Sequence, residues 1–313
     1  MNWTGHSLMA SAALLGGCAA APPLADAPPP PVAAAAPVAA SSARPILGLD
    51  DPAPDPERWT YGSGEAAGAS IQTWRALADY AIAAAAKKPA RSVPLGLPGA
   101  LGGIGTVSCA GKQPAVILDA DETAILNRGL QFWLASGNPP SRETSDQWTS
   151  TGAAQTAPVP GAVTGVRRLK EAGIAVIYNT NRPSRAAPGT IRAIEAAGLG
   201  TTVHKQDLFL LGDDALGGDK DGRRATIAER YCVVALGGDN LGDFASMLND
   251  RTMGVQQRRE RAARGELAQL WGNGWFLIPN ASYGYWQKGT MGEVFPPDAR
   301  WAPPAAVSTN EDK

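Results

Sequence analysis

Short apolar runs alternate with amphipathic segments between residues 113 and 244, and this alternation restricts the fold more than any other feature of the sequence. The runs have the length of buried strands, whereas the segments between them carry apolar residues at helical spacing. The predicted strands are 116–118, 175–178, 208–211 and 232–236, and the predicted helices are 70–88, 161–172, 188–199 and 222–230. This order predicts an α/β fold with a doubly wound parallel sheet, whose ligands bind beyond the carboxyl ends of the strands.

Polar side chains gather where these strands end. The clusters are Asp119-Ala120-Asp121-Glu122-Thr123, then Asn179-Thr180-Asn181-Arg182, then Lys220 with Arg223 and Arg224, and finally Gly238-Asp239-Asn240 with Asp243. Each cluster alone is typical of a helix cap, a turn or a solvated surface. Brought to one edge, Asp119, Asp121 and Asp239 would form an all-oxygen site of the kind that Mg²⁺ prefers. Thr180 and Lys220 would then be suitable donors to a phosphoryl group.

This ordered set resembles the four motifs of the haloacid dehalogenase (HAD) superfamily, and most closely the bacterial class C acid phosphatases. Asp119-x-Asp121 resembles motif I, Thr180 motif II, Lys220 motif III, and Gly238-Asp239 with Asp243 motif IV. The likeness extends to APVPGA at 157–162 and to LIPNASYGYW at 277–286, and covers roughly residues 58–290. It implies a HAD-like sheet with a small, mainly helical cap or accessory region.

The resemblance also implies a reaction, the hydrolysis of phosphomonoesters with Mg²⁺ as cofactor. Asp119 would be the nucleophile and form an aspartyl-phosphate, while Asp121 would protonate the leaving alcohol and later activate water. The metal would be held by Asp119, by the main-chain carbonyl of Asp121 and by Asp239. Thr180 and Lys220 would contact the transferring group. Since Asp121 must begin protonated, we expect an acidic activity optimum.

Further residues have supporting roles by the same resemblance. Those expected to lie behind the catalytic groups or to bind phosphate are Asp243, Asn181, Arg182 and Arg223. Glu122 is expected to face away and has no assigned role. Relatives carry a tyrosine after motif I that can stack on a nucleobase, and this chain has Leu130 there. The remaining candidates for substrate stacking are Trp133, Tyr283 and Trp286, although for Trp133 and its neighbour Phe132 a place in the core is favoured.

The N-terminus predicts export. Residues 1–18 are a short apolar segment that ends in Leu15-Gly16-Gly17-Cys18, which resembles a bacterial lipobox with Cys18 as the lipidated residue. An ordinary alanine-rich terminus is the alternative, because no Lys or Arg precedes the apolar part. The expected location is exported and lipid-anchored to a bacterial membrane, with the outer membrane favoured.

Proline and alanine dominate residues 19–57, which predicts a disordered tether. An enzyme domain at 58–297 and a loose C-terminal tail at 298–313 complete the expected organisation. Cys109 and Cys232 both precede strands, so a disulfide at the sheet edge opposite the site and two separate buried thiols are equally compatible with the sequence.

Charge and composition narrow the partners. The net charge is −1, from 28 basic and 29 acidic side chains, and no basic excess points to nucleic acid. The expected partner is a small phosphomonoester, with nucleoside monophosphates and hence 5′-nucleotidase activity as one case, and a homodimer is common in the family. A phosphotransferase with the same intermediate and a catalytically silent surface binding protein are the alternatives.

Overall fold

The computed structural model describes residues 46–100 and 103–303, and its centre is a sheet of five parallel strands. Within these residues the strands are β1 Leu95–Gly96, β2 Ile104–Gly105, β3 Gln113–Leu118, β4 Ile125–Leu126, β5 Ala157–Pro158, β6 Ala175–Pro183, β7 Leu208–Leu211, β8 Tyr231–Gly238 and β9 Trp275–Leu277. The central sheet has the order β7-β6-β3-β8-β9. The chain leaves β3 first to one side and then to the other, so the strand order reverses beside β3 and a crevice opens there.

Helices cover both faces of this sheet. The α-helices of the described residues are α1 Asp55–Glu57, α2 Gly64–Ala86, α3 Arg128–Ala135, α4 Arg142–Thr151, α5 Ala162–Glu171, α6 Ala187–Ala196, α7 Asp221–Arg230, α8 Val255–Ala263, α9 Gly265–Ala268 and α10 Met291–Val294. Along β3 the side chains alternate: Val116 and Leu118 pack in the cluster that contains Trp74 of α2, whereas Ile117 packs with Ile227 of α7. This two-residue period buries both faces of a parallel sheet.

The predicted α/β fold is therefore confirmed, with shifts at the ends of elements. α2 begins at Gly64 rather than residue 70, because Ser63 caps it by accepting a hydrogen bond from the Ala66 amide. β6 continues to Pro183, well beyond the predicted end at residue 178. Sequence analysis did not predict β9, a strand of only three residues.

A small cap follows β3. We define it as residues 125–158. The strands β4 and β5 pair antiparallel at its base, and the helices α3 and α4 lie between them in the chain. This agrees with the expected small, mainly helical accessory region. The favoured core position for Phe132 and Trp133 is wrong, because their exposed fractions are 60% and 48%. The single helix α3 turns them outward while it buries Gln131.

Cys109 and Cys232 form a disulfide. Cys109 lies in the loop before β3 and Cys232 lies near the start of β8, so the bond ties the chain at the sheet edge opposite to the strand ends with the carboxylates. The structure thus decides between the two alternatives that the sequence left open.

Most of the N-terminal predictions concern residues 1–45, which the structure does not describe. The signal peptide, Cys18 and most of the tether lie outside the described residues, as does 304–313 of the predicted tail. Among the helices within 46–100 and 103–303, none is both long enough and apolar enough to cross a bilayer.

Candidate active site

The predicted catalytic residues meet at the carboxyl edge of the sheet. β3 ends at Leu118, and the next amide, that of Asp119, donates to the carbonyl of Gly237 on β8 at 2.9 Å. This extra bond fixes the start of the loop that carries Asp119 and Asp121. Thr180 lies in β6 on one side of this loop, and Asp239 directly follows β8 on the other.

Three carboxylates form one cluster on the β8 side. Ligand oxygens of Asp119, Asp239 and Asp243 lie within 4.8 Å of one another. The ammonium of Lys220 donates to Asp119 and, at 2.7 Å, to Asp243. When ionised, the three carboxylates outnumber the single positive charge of Lys220, so this carboxylate cluster then has a net negative charge suited to a divalent cation.

Two neutral donors orient Asp239. The Thr123 hydroxyl donates to its Oδ1 at 2.9 Å, and the Asn280 amide donates to its Oδ2 at 2.9 Å. The backbone amide of Asn240 in turn donates to Oδ2 of Asp243 at 2.9 Å. The carboxylates are thus fixed in place before any ligand binds, which lowers the cost of binding one.

Burial raises the pKa of two members of the cluster. For Asp119 the burial, together with the charges of Asp243 and Asp121, outweighs the nearby Lys220 and raises the pKa to about 7. For Asp239 the burial and the charges of Asp243 and Asp119 raise the pKa well above its usual value. Close, desolvated like charges have this effect, and a bound cation reverses it.

Lys220 keeps its charge in the same place. Burial alone would lower its pKa, but the charges of Asp119 and Asp243 and their hydrogen bonds raise the pKa above the usual value. The residue directly precedes α7, and the first turn of that helix fixes its backbone.

A different environment surrounds Asp121, only two residues after Asp119. Arg182 Nε donates to Asp121 Oδ1 at 2.9 Å, and Asn127 Nδ2 donates to the same oxygen at 2.8 Å. The guanidinium of Arg182 also forms an ion pair with this oxygen, with Nη2 at 2.8 Å. Thr180 Oγ1 lies 3.3 Å from Oδ2. Burial would raise the pKa of Asp121, but the charge of Arg182 and the hydrogen bonds from Arg182 and Asn127 outweigh it and lower the pKa.

Glu122, for which sequence analysis assigned no role, is buried and fully bonded. The hydroxyl groups of Tyr61 and Tyr283 donate to its two carboxylate oxygens at 2.8 Å each. The backbone amide of Asn127 donates to Oε1 at 2.8 Å. The backbone of Glu122 has φ 54°, a left-handed conformation that costs energy for a residue with a side chain. These bonds hold the sharp turn that directs the chain away after Asp121.

Tyr283 also touches the loop itself, because its hydroxyl lies 3.3 Å from the carbonyl oxygen of Asp121. Its phenol pKa is raised well above the usual value by burial and by the carboxylates around it, including Asp239 and Glu122. The group therefore remains a hydrogen-bond donor at all ordinary pH values.

Arg223 and Asn181 form hydrogen bonds behind the catalytic residues. The guanidinium of Arg223 is buried and donates to Asn179 at 2.8 Å and to Asn181 at 2.6 Å. Asn181 in turn donates to the carbonyl of Gly218 at 2.9 Å. Both residues therefore connect β6 with the loop that leads to Lys220.

An aromatic cavity of about 600 Å³ adjoins the carboxylate cluster at Asp239. Of the candidates for stacking, Tyr283 and Trp286 line it, together with Trp59, which sequence analysis did not identify. Trp133 belongs to the cap helix α3 and does not line this cavity.

Several residues of the site were missed in the sequence. Asn280 stands inside a stretch that resembles a family motif, so its neighbourhood was marked but its individual contact was not. Asn127, Tyr61 and Trp148 lie outside the stretches that match, and no sequence signal connected them with the loop that carries Asp121.

Comparison with known proteins identifies the family and the fold. A family model described as HAD superfamily, subfamily IIIB (acid phosphatase) matches residues 74–286. The fold is similar to that of a class C acid phosphatase from Bacillus anthracis with tungstate bound, at 23% identity and a TM-score of 0.59, over 78% of this chain and 88% of that chain. A second structure of the Bacillus anthracis enzyme matches at 22% identity and a TM-score of 0.58, over 74% and 85% of the two chains.

The two structures show a shared fold, and the family match spans most of the chain, including all the residues of the carboxylate cluster. The resemblance found in the motifs is thereby confirmed. The chain belongs to subfamily IIIB of the HAD superfamily, the acid phosphatases.

Proposed function

We propose that this acid phosphatase is a Mg²⁺-dependent phosphomonoesterase that works through an aspartyl-phosphate on Asp119. The observation that carries the proposal is the contact of the Lys220 ammonium with both Asp119 and Asp243, beside Asp239. A carboxylate held by a lysine at a strand end is a nucleophile with a neighbouring positive charge for the phosphoryl oxygens.

The donor set fits a hard divalent cation. The three clustered carboxylates offer only oxygen ligands. Burial, and after it the charges of the neighbouring carboxylates, raises the pKa values of Asp119 and Asp239. Asp119 and Asp239, with the carbonyl of Asp121, would hold the ion, and Asp243 would support it. When bound, Mg²⁺ supplies positive charge for the phosphoryl oxygens and keeps Asp119 ionised at acidic pH.

The residues then divide the reaction between them. A carboxylate oxygen of Asp119 attacks phosphorus, the bond from phosphorus to the ester oxygen breaks, and the carboxyl proton of Asp121 passes to that oxygen. In the second half, water attacks the phosphorus, Asp121 takes the proton of the water, and the bond to Asp119 breaks to release inorganic phosphate. Thr180 and Lys220 hold the phosphoryl oxygens during both transfers.

The aromatic cavity is suited to the leaving group of the substrate. Asp239 lines one part of it, and the aromatic side chains of Trp59, Tyr283 and Trp286 also line it, which suits a flat group. A nucleoside monophosphate combines such a base with a phosphomonoester, which supports 5′-nucleotidase activity as the finer function.

The proposal includes the cellular location. A disulfide between Cys109 and Cys232 is typical of proteins that fold in an oxidising compartment, which supports export. We retain lipidation at Cys18, the tether at 19–57, the domain at 58–297 and a homodimer as parts of the proposal. Partition of the expressed wild-type and Cys18→Ala proteins into detergent tests the anchor, and light scattering tests the dimer.

The enzymatic test is phosphate release from p-nitrophenyl phosphate and from nucleoside monophosphates, with and without Mg²⁺. We expect release that chelation abolishes and that Mg²⁺ restores, and none from the Asp119→Asn variant. If the folded wild-type protein with Mg²⁺ releases no phosphate from any of these esters, the proposal is wrong and a binding role replaces it.

A further inference from the structure

Asn127 connects the carboxyl group of Asp121 with the cap. It lies directly after β4, is buried, and uses both ends of its side-chain amide. Its Oδ1 accepts from Nε1 of Trp148 at 2.7 Å and from Nη2 of Arg182 at 2.7 Å. Both partners are obligatory donors, so the atom that they share must be the amide oxygen.

The orientation of the amide follows from those two contacts. Its Nδ2 faces Asp121 Oδ1 at 2.8 Å and the two oxygens of Glu122 at 3.2 and 3.1 Å. Asp121 Oδ1 then accepts from Asn127 Nδ2 and from Arg182 Nε, and it forms an ion pair with the guanidinium of Arg182. Because two donors and a positive charge already face Oδ1, the proton of a protonated Asp121 belongs on Oδ2.

The partner in the cap is fixed equally firmly. The indole of Trp148, in α4, packs between Gly129, in the first turn of α3, and Gly152, which directly follows α4. A Cβ built on Gly152 would lie 2.2 Å from Trp148 Cε3, and one built on Gly129 would lie 2.6 Å from Cζ3. No side chain fits at either position unless the indole moves, so the close packing sets the direction of its N–H.

We propose that Asn127, braced by Trp148 of the cap, is a positioning residue that holds the Asp121 carboxyl group with Oδ2 toward the leaving group. The cap thereby takes part in proton transfer and does not only border the site. This inference rests on the proposed role of Asp121 as general acid. Proton transfer depends steeply on the position of the donor, so a carboxyl group that can rotate is a poorer acid catalyst.

The dependence of the rate on the leaving group tests this role. p-Nitrophenolate leaves without a proton, whereas an alkoxide needs one, so a defect in the acid affects alkyl phosphates selectively. The quantity to measure is kcat/KM, since it covers the steps up to the cleavage of the ester bond. Substrates are p-nitrophenyl phosphate and glycerol 2-phosphate.

We expect Asn127→Ala to lower kcat/KM for glycerol 2-phosphate by about 100-fold, and for p-nitrophenyl phosphate by less than about 5-fold. Trp148→Phe keeps the ring but removes the N–H, and it should show the same selectivity at about 5- to 10-fold. Trp271→Phe is the matched control, since it also removes an indole hydrogen bond, to the carbonyl of Ala262, outside the site. Both of its rates should match the wild type.

Equal losses on both substrates would overturn the inference, because a general structural defect does not distinguish leaving groups. If Asn127→Ala fails to fold, as judged by circular dichroism, Trp148→Phe decides the question alone. A wild-type protein that is inactive on both esters would contradict the proposed function, whereas an active wild type with unselective variants would contradict only the role of Asn127.

Discussion

The site has two halves that differ in charge, although Asp119 and Asp121 are separated by a single residue. On the β8 side, Asp119 lies among other carboxylates with one lysine, and its pKa is raised to about 7. On the β6 side, Asp121 lies against Arg182 and Asn127, and its pKa is lowered. In the proposed reaction these two environments would meet two needs: negative charge that attracts a cation and supplies a nucleophile, and a carboxyl group held for proton transfer.

The largest effect should come from the nucleophile. We expect Asp119→Asn to lower kcat by about 10⁴-fold or more, because the proposed reaction forms its covalent intermediate on the Asp119 carboxylate. Steady-state phosphate release measures it. A variant that retains a tenth of the wild-type rate would show that the reaction does not pass through Asp119.

The second prediction concerns the cation on the β8 side. Asp239→Asn removes one charged ligand but keeps the donors Thr123 and Asn280 in place, so we expect kcat/KM to fall by about 10²- to 10³-fold at fixed Mg²⁺. Isothermal titration of Mg²⁺ should show weaker binding than in the wild type. Unchanged affinity for Mg²⁺ would place the metal elsewhere.

The third prediction separates the halves by pH. In the proposed reaction Asp121 must begin protonated, and its pKa is lowered, so activity should fall as the pH rises through that pKa and the optimum should be acidic. Arg182→Gln removes the charge that lowers this pKa, so the falling limb should move to higher pH. A wild-type rate that rises steadily to about pH 9 would contradict the assignment, given the ordinary range of carboxyl pKa values.

The strands and the main candidate residues of the site could be predicted because their signals are local in the sequence. The strands and the residues Asp119, Asp121, Thr180, Lys220 and Asp239 were found because apolar runs and short motifs are local signals, and parallel strands bring their carboxyl ends together.

The contacts that were missed are not local. Trp148 meets Asn127 across 21 residues, and Tyr61 meets Glu122 across 61, so neither pairing has a periodic or motif signal. The exposure of Phe132 and Trp133 depends on which face α3 turns to the protein, and apolar character alone does not give that direction.

The smallest effect concerns the turn between the halves. Tyr61→Phe removes one donor to the buried carboxylate of Glu122, so we expect the free energy of unfolding to fall by about 1–3 kcal/mol. Urea denaturation measures it. Tyr285→Phe is the matched control, because its hydroxyl donates to the carbonyl of Arg251 at an exposed position, and it should cost less than about 1 kcal/mol. Equal losses of unfolding free energy in the two variants would contradict the inference that the bond from Tyr61 to Glu122 stabilises this turn.

The most direct test of the division between the halves is to trap the covalent intermediate. The enzyme is mixed with p-nitrophenyl phosphate and Mg²⁺, quenched in acid within milliseconds, and digested for mass spectrometry. We predict a phosphate adduct on the peptide that contains Asp119, a larger amount of it in Asp121→Asn because water is then not activated, and none in Asp119→Asn. Rapid phosphate release with no adduct, or an adduct on a different residue, would contradict the account.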